Sequence, residues 1–240
     1  MAGAVTLSWI DKLKDHYAAA ITDYIIKAYA HRHKDFFFIQ IGAFDGIRNN
    51  PIRKYILKYE WKGILVEPVK YIFDRLVNNY KGYSNLSFEN IAISDKDEIK
   101  DFHFLREGSN NLVSYYEELG SLSSEVTLKH RDVIPGIEDY LVTAKVTCIT
   151  LMTLLQRHNI KKVDLLQIDS EGYDYKIIAS IDFKVIKPKV IIYERVHLNN
   201  YDSKQCISVL KNNGYTVIKL GVDAIAFLGP EKLNEKKEIP

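Results

Sequence analysis

From His33 onward, short apolar runs alternate with stretches of helical periodicity. Continuous apolar runs of this length are typical of strands buried on both faces of a sheet, and the chain has five of them: FFFIQIG, GILVE, LSFENIAI, VDLLQID and KVIIYER. The helical stretches between them are PIRKYILKYEW, PVKYIFDRLVNNY, TLMTLLQRHNI, GYDYKIIASI and SKQCISVLKNN. This alternation predicts a doubly wound α/β sheet with helices on both faces.

Local signals agree with these helices. Pro51 suits a first helical turn, Thr150 is a candidate N-cap, and Gly214 stands where a helix should stop. Near the end of the chain, GYTVIKLG and DAIAFLG are separated by a loop too short for a crossover helix. They predict an antiparallel hairpin. A mostly parallel sheet closed in this way favours the seven-stranded methyltransferase architecture over the all-parallel dinucleotide fold.

The two ends of the chain lie outside this alternation. We therefore divide the chain into a helical extension (1–32), a main domain (33–230) and a charged, solvated tail (231–240). The extension has an apolar stripe at helical spacing, expected to pack on the main domain or on a second subunit of a homo-oligomer. Residues 106–145 interrupt the main domain without a clean period. They predict a lid or substrate wall, with a surface embellishment as the alternative.

Composition narrows the class of protein. Hydrophobic residues make up 47% and charged residues 27% of the 240 positions, as in soluble globular chains. A net charge of +2 gives no polycationic surface for nucleic acid. Two cysteines, and no apolar run near the ~20 residues that cross a bilayer, favour a reducing, cytoplasmic location without a membrane span.

Glycines and an acid mark a binding site at the ends of the first two strands. Gly42 and Gly46 form G-x-x-x-G, which lacks the G-x-G-x-x-G spacing of a pyrophosphate loop. Glu67 ends the second strand, where a carboxylate accepts hydrogen bonds from both hydroxyls of a ribose. Together they predict a nucleoside site without a diphosphate. Alternatively, Glu67 only stabilises the following helix and the glycines only turn the chain.

The fourth and fifth buried strands end in Asp169 and Glu194, at the edge where doubly wound sheets bind ligands. These two carboxylates are candidates to hold a divalent cation such as Mg²⁺, or to accept a proton and orient a hydroxyl. His197 is a candidate general base. The alternatives are a structural ion pair of Glu194 with Arg195 or Arg53, and an exposed loop position for His197. Glu171 and Asp174 are equally explained as acids of a first helical turn capped by Ser170.

Six motifs in this order resemble the FkbM-type family of S-adenosylmethionine-dependent methyltransferases: FIQIGAFDG, GILVEPV, NIAISDKD, CITLMTLL, DLLQIDSEGYDYKII and VIIYERVHL. The likeness covers roughly residues 36–228. V-E-P and I-D-S-E-G are its most specific parts. The resemblance implies a class I methyltransferase fold, S-adenosylmethionine at the ends of the first three strands, and O-methylation of a sugar, glycan or natural product.

The resemblance also implies roles for individual positions. Those matching the cofactor site are Gly42, Asp45 and Gly46 in the loop, Glu67 at the ribose, and Ala92, Ile93, Ser94 and Asp95 beside the adenine. Asp169 and Glu171 match the D-x-E-G motif near the methyl group. Phe44 stands where many members have asparagine, which replaces a polar contact by an apolar wall.

Two other classes of function remain open at this point. A nicotinamide-dependent oxidoreductase fits the α/β pattern and Glu67 but lacks the third glycine. A non-catalytic scaffold of the same fold would assemble through the N-terminal helix.

Overall fold

A computed structural model describes residues 9–30, 35–107 and 116–229, with side chains from residue 16 onward. The tail at 231–240 and the first eight residues of the extension lie outside these ranges. The helices are α1 Trp9–Ala30, α2 Arg53–Tyr59, α3 Lys70–Asn79, α4 Ser124–Leu128, α5 Leu151–Arg157, α6 Asp174–Ala179 and α7 Asn200–Asn212. The strands are β1 Phe37–Ile41, β2 Lys62–Val66, β3 Leu86–Glu89, β4 Ala92–Ser94, β5 Glu98–Leu105, β6 Leu141–Thr150, β7 Leu165–Ile168, β8 Val190–Glu194, β9 Tyr215–Leu220 and β10 Asp223–Leu228.

Seven of these strands form the main sheet, in the order β3-β2-β1-β7-β8-β10-β9. The pairs from β3 through β8 are parallel, whereas β10 runs antiparallel to both β8 and β9. The predicted mostly parallel sheet with a C-terminal antiparallel hairpin is therefore confirmed. Because the parallel strands share one direction, their carboxyl ends lie along one edge of the sheet.

A second sheet, with the order β4-β6-β5, was not predicted from the sequence. The run LSFENIAI divides at Asn90, whose side-chain amide donates to the carbonyl oxygens of Glu67 (2.8 Å) and Pro68 (3.0 Å). The turn sends β3 into the main sheet and β4 into the second. Antiparallel strands β5 and β6 enclose the predicted insertion, so its last residues, 141–145, belong to β6.

Apolar side chains fill both faces of the main sheet. On β1, Ile39 and Ile41 face one core and Phe38 faces the other, as the period of two requires. Helix α1 covers the second face with Ile25 and Ile26, both buried. The extension is thus helical where it is described, and it packs on the main domain. None of the described helices is both long and apolar enough to cross a membrane.

The predicted ends of two helices are confirmed. The Thr150 hydroxyl accepts a hydrogen bond from the Thr153 backbone N–H at 3.0 Å and caps α5. Helix α7 ends at Asn212, and Gly214 follows with a φ of 86°.

Candidate active site

A cavity of about 330 Å³ opens at the carboxyl edge of the main sheet. Its walls come from the loop after β1, the ends of β2, β7 and β8, and the start of β10. The segment after β5 adds Glu117, Glu118, Gly120 and Leu122. The volume suits a small molecule. Part of the predicted insertion therefore lines the cavity, while residues 108–115 lie outside the described ranges.

Gly42 and Phe44 build the floor of the cavity at the end of β1. A Cβ atom on Gly42 would lie 1.8 Å from the backbone oxygen of Asp169, and its φ is 70°. Phe44 has a φ of 50° and donates its backbone N–H to Oε2 of Glu67 at 3.0 Å. The Arg48 guanidinium lies 4.6 Å from the centre of the Phe44 ring. Phe44 thus belongs to the lining of the cavity, and its role as an apolar wall stays a prediction.

Asp45 and Gly46 shape this loop without lining the cavity. The Asp45 carboxylate accepts hydrogen bonds from the backbone N–H groups of Ile47 (2.8 Å) and Arg48 (2.9 Å) and from the Arg48 guanidinium (3.0 Å). Burial opposes ionisation, but these donors hold the pKa of Asp45 below its usual range. A Cβ on Gly46 would lie 2.4 Å from the Tyr80 ring.

Glu67 lies at the end of β2 with 5% of its surface exposed, and it lines the cavity. Its two carboxylate oxygens accept the backbone N–H groups of Phe44 and of Val69, the latter at 2.9 Å. Burial raises the pKa of Glu67 to about 7, against the effect of these donors. Glu67 both holds the start of α3 and lines the cavity, so its contact with the helix does not remove it from a ligand, and ribose binding stays a prediction. Each oxygen keeps a lone pair for a ligand hydroxyl.

An apolar slot adjoins Glu67. It is formed by Val69, Ile72, Ala92, Ile93, Phe102 and Leu122. Of the four residues predicted beside the adenine, Ala92 and Ile93 line this slot. Ser94 is fully buried, and Asp95 accepts a hydrogen bond from the Tyr173 hydroxyl at 2.9 Å, outside the cavity lining.

Asp169, Glu171 and Glu194 share the opposite wall. The side chain of Asp169 faces the open cavity. Desolvation by the protein packed around its carboxyl group, followed by repulsion from Glu171, raises the pKa of Asp169 well above the usual range. Burial, followed by repulsion from Asp169 and Glu171, raises the pKa of Glu194 to about 11. Glu194 therefore retains its proton at neutral pH. Arg195 and Arg53 do not pair with Glu194; they donate to the backbone oxygens of Gly221 and Gly46.

His197 lies behind this wall. Its Nε2 is 2.9 Å from Oε2 of Glu171 and 3.9 Å from Oε1 of Glu194, and it does not line the cavity. Glu171 stands before α6 in a left-handed conformation with a φ of 49°. The alternative of a first-turn acid therefore fits Asp174, which begins α6, and not Glu171. Ser170 donates its hydroxyl to Asp174 at 2.7 Å.

The group with metal-ligand geometry differs from the predicted pair. Within the described ranges, one ligand atom from each of Glu171, Glu194 and His197 lies within 4.8 Å of the others. Asp169 does not belong to this group. A mixed nitrogen and oxygen donor set is less suited to Mg²⁺ than an all-oxygen set.

Sequence reasoning missed Gln167 and Asp223, which both line the cavity. Strand β10 places Asp223 directly opposite Glu194. The signal that could have found Asp223 is its position at the start of the second hairpin strand. When this strand pairs antiparallel with the fifth buried strand, its first residue lies at the carboxyl edge of the sheet, beside Glu194. Gln167 gave no comparable signal, because it lies inside an apolar run.

The strand order, the reversed β10 and a cavity at the carboxyl edge define a class I methyltransferase fold. The model of the methyltransferase FkbM domain matches residues 40–217. The chain belongs to this family, and the family implies S-adenosylmethionine as the methyl donor. Among curated proteins, none matches the chain.

Several solved structures are similar to this chain at low sequence identity. The methyltransferase FkbM from Methylobacillus flagellatus KT is 9% identical with a TM-score of 0.48, over 81% of this chain and 44% of that one. The precorrin-6y C5,15-methyltransferase from Geobacter metallireducens GS-15 is 12% identical with a TM-score of 0.42, over 94% of both chains. An O-methyltransferase family protein from Burkholderia thailandensis is 7% identical with a TM-score of 0.42, over 91% of this chain and 60% of that one. The chain thus spans less than half of the FkbM structure.

Proposed function

We propose that this chain is an S-adenosylmethionine-dependent O-methyltransferase acting on a hydroxyl group of a sugar, glycan or natural product. One observation carries the proposal: the buried Glu67 carboxylate faces the same cavity as the acids at the ends of β7 and β8. The first suits a ribose diol. The second suits a hydroxyl that must lose its proton as a methyl group arrives.

The residues around Glu67 fit the nucleoside part of the donor. Glu67 would bind the ribose hydroxyls, and the apolar slot beside Ala92 and Ile93 would take the adenine. The absence of a side chain at Gly42 keeps the backbone of β1 and the Asp169 carbonyl close together below the donor. When bound, S-adenosylmethionine supplies an electrophilic methyl group on a positively charged sulfur.

On the acceptor side we assign Asp169 as the proton acceptor, because its carboxylate faces the open cavity. Glu194 keeps its proton at neutral pH and therefore serves as a hydrogen-bond donor that orients the acceptor. Glu171 lines the cavity and is held by His197, so His197 is a positioning residue acting through Glu171. Alignment contributes most to such a displacement, and a base contributes typically ~100-fold to 10,000-fold.

A divalent cation such as Mg²⁺ remains a prediction. The donor set that would hold a cation is the group formed by Glu171, Glu194 and His197.

The proposal is tested by calorimetry with S-adenosylhomocysteine. We expect binding to the unmodified chain, and binding weakened at least ~10-fold in Glu67→Gln, which corresponds to ~1.4 kcal/mol. The amide keeps the size of the side chain but loses the charge and one acceptor oxygen that the ribose hydroxyls need. Glu98→Gln is the control, because Glu98 is a half-exposed acid on β5 outside the cavity lining.

No binding at high micromolar concentration, or equal binding by the unmodified chain and Glu67→Gln, would contradict the proposal. A change of NADH fluorescence on mixing, in place of S-adenosylhomocysteine binding, would support the nicotinamide-dependent alternative instead.

A further inference from the structure

Four polar side chains line one end of the cavity, and we call them the polar subsite: Gln167, Asp169, Glu194 and Asp223. Gln167 lies two positions before Asp169, so both project from the same face of the sheet. Asp223 stands opposite Glu194 in the β8–β10 pair. The subsite is therefore built by three adjacent strands at the edge where we place the acceptor.

Two oxygen atoms of the polar subsite are buried without a hydrogen-bond partner among the described residues. They are Oε1 of Gln167, a residue with 6% of its surface exposed, and Oε2 of Glu194. Buried polar atoms in folded proteins nearly always have a partner. A side-chain amide oxygen is an acceptor, and a carboxyl group that keeps one proton still offers acceptor lone pairs, so a ligand with N–H donors satisfies both atoms.

The charge of this end of the cavity is also one-sided. Asp169, Glu194 and Asp223 contribute carboxyl groups. Among the described residues that line the cavity, the basic side chain is that of Arg48, and it is bound to Asp45 and Glu117 at 3.0 Å each. A positive charge placed here would offset both the burial and the mutual repulsion of the acids.

We propose that the polar subsite binds a positively charged amino group of the acceptor, which makes the acceptor an amino sugar or another amino alcohol. This inference rests on the proposed function. An ammonium group brings three N–H donors and a full positive charge, the two properties that the orphaned oxygens and the neighbouring acids call for. An ammonium group favours the ionised form of the acids that it contacts, which a neutral acceptor does not, and a phosphorylated or carboxylated acceptor is repelled by the acids that are ionised.

The test measures dissociation constants by ligand-observed NMR on the full chain saturated with S-adenosylhomocysteine, at pH 6.5. The probes are glucosamine and ethanolamine, each compared with its N-acetyl derivative, which keeps the hydroxyls and loses the charge. We expect each amine to bind at least ~10-fold more tightly than its derivative. Asp223→Asn should remove most of this preference, while Asp74→Asn, which removes a charge from an exposed position of α3, should keep it.

Equal binding of the amines and their N-acetyl derivatives would overturn the inference, as would a preference that survives in Asp223→Asn. A preference abolished by EDTA, or by micromolar Mn²⁺ competing with glucosamine, would show that the acids hold a metal ion and would also overturn it. Bound S-adenosylhomocysteine in these same samples shows that the proposed function stands when the inference fails. Its failure to bind is the separate result that contradicts the proposed function.

Discussion

At the scale of single residues, Gly42 sets how closely two loops approach. Its φ of 70° and the 1.8 Å between a built Cβ and the Asp169 oxygen leave no room for a side chain. The close approach of the cavity floor to the wall that holds Asp169 therefore requires a residue without a side chain at position 42. Gly82 has a comparable backbone conformation, with a φ of 97°, but nothing lies within 4 Å of its built Cβ.

Gly42→Ala should lower the free energy of unfolding by at least ~3 kcal/mol, because the substitution combines left-handed strain with a backbone clash. Gly82→Ala should cost only the strain, ~1–2 kcal/mol. Urea unfolding of both variants measures the difference. Equal losses would mean that the contact with Asp169 does not require glycine.

At the scale of elements, α1 belongs to the core of the main domain. Ile26 on α1 is fully buried, and the Tyr29 hydroxyl donates to the backbone oxygen of Leu228 in β10. The opposite side of α1 exposes Tyr17 and Tyr24 at 65% and 75%. A homo-oligomer formed through this helix stays a prediction, and the exposed tyrosines are the surface available for it.

Ile26→Ala should therefore destabilise the chain by ~2–4 kcal/mol, as expected when a large core side chain is cut back. Ile21→Ala, on the same helix at 36% exposure, should cost less than ~1 kcal/mol. Denaturant midpoints measure both. If the two substitutions cost the same, α1 is not packed against the sheet as described.

At the same scale, strands with one polar face escaped prediction. Strands β5 and β6 carry charged residues such as Glu98, Asp101 and Lys145 on their exposed positions, so neither forms a continuous apolar run. Strands β1, β2, β7 and β8 of the main sheet were predictable because burial on both faces makes their sequences largely apolar, whereas β3 and β9 are only partly buried. The break at Asn90 was not predictable, since it depends on hydrogen bonds to Glu67 and Pro68, which are distant in sequence.

At the scale of the whole molecule, the buried acids make stability depend on pH. Burial raises the pKa of Glu67 to about 7, and burial with repulsion raises that of Glu194 to about 11. The folded chain therefore binds these protons more tightly than the unfolded chain does. Unfolding releases protons, so the free energy of unfolding falls as the pH rises above the ordinary glutamate value near 4.5.

Thermal melts at constant ionic strength should show this loss between pH 5 and pH 9. Glu194→Gln removes a group that becomes costly to ionise, so it should raise the melting temperature by ~2–4 °C at pH 9, equivalent to ~1 kcal/mol, and change it little at pH 5. Glu98→Gln should follow the unmodified chain throughout. A melting temperature that rises toward pH 9, or a Glu194→Gln effect independent of pH, would contradict the assignment.

The order of the main-sheet strands and of the helices between them was determined by the sequence alone, because apolar periodicity and turn residues are local properties of the chain. The same holds for Glu67, whose place after a buried strand already predicts the carboxyl edge of a parallel sheet. Tertiary structure decided the partners: Asp223 meets Glu194 through an antiparallel register, and His197 reaches Glu171 across a loop. Protonation at this edge follows from those distances and from burial, which arise only when segments far apart in sequence pack together.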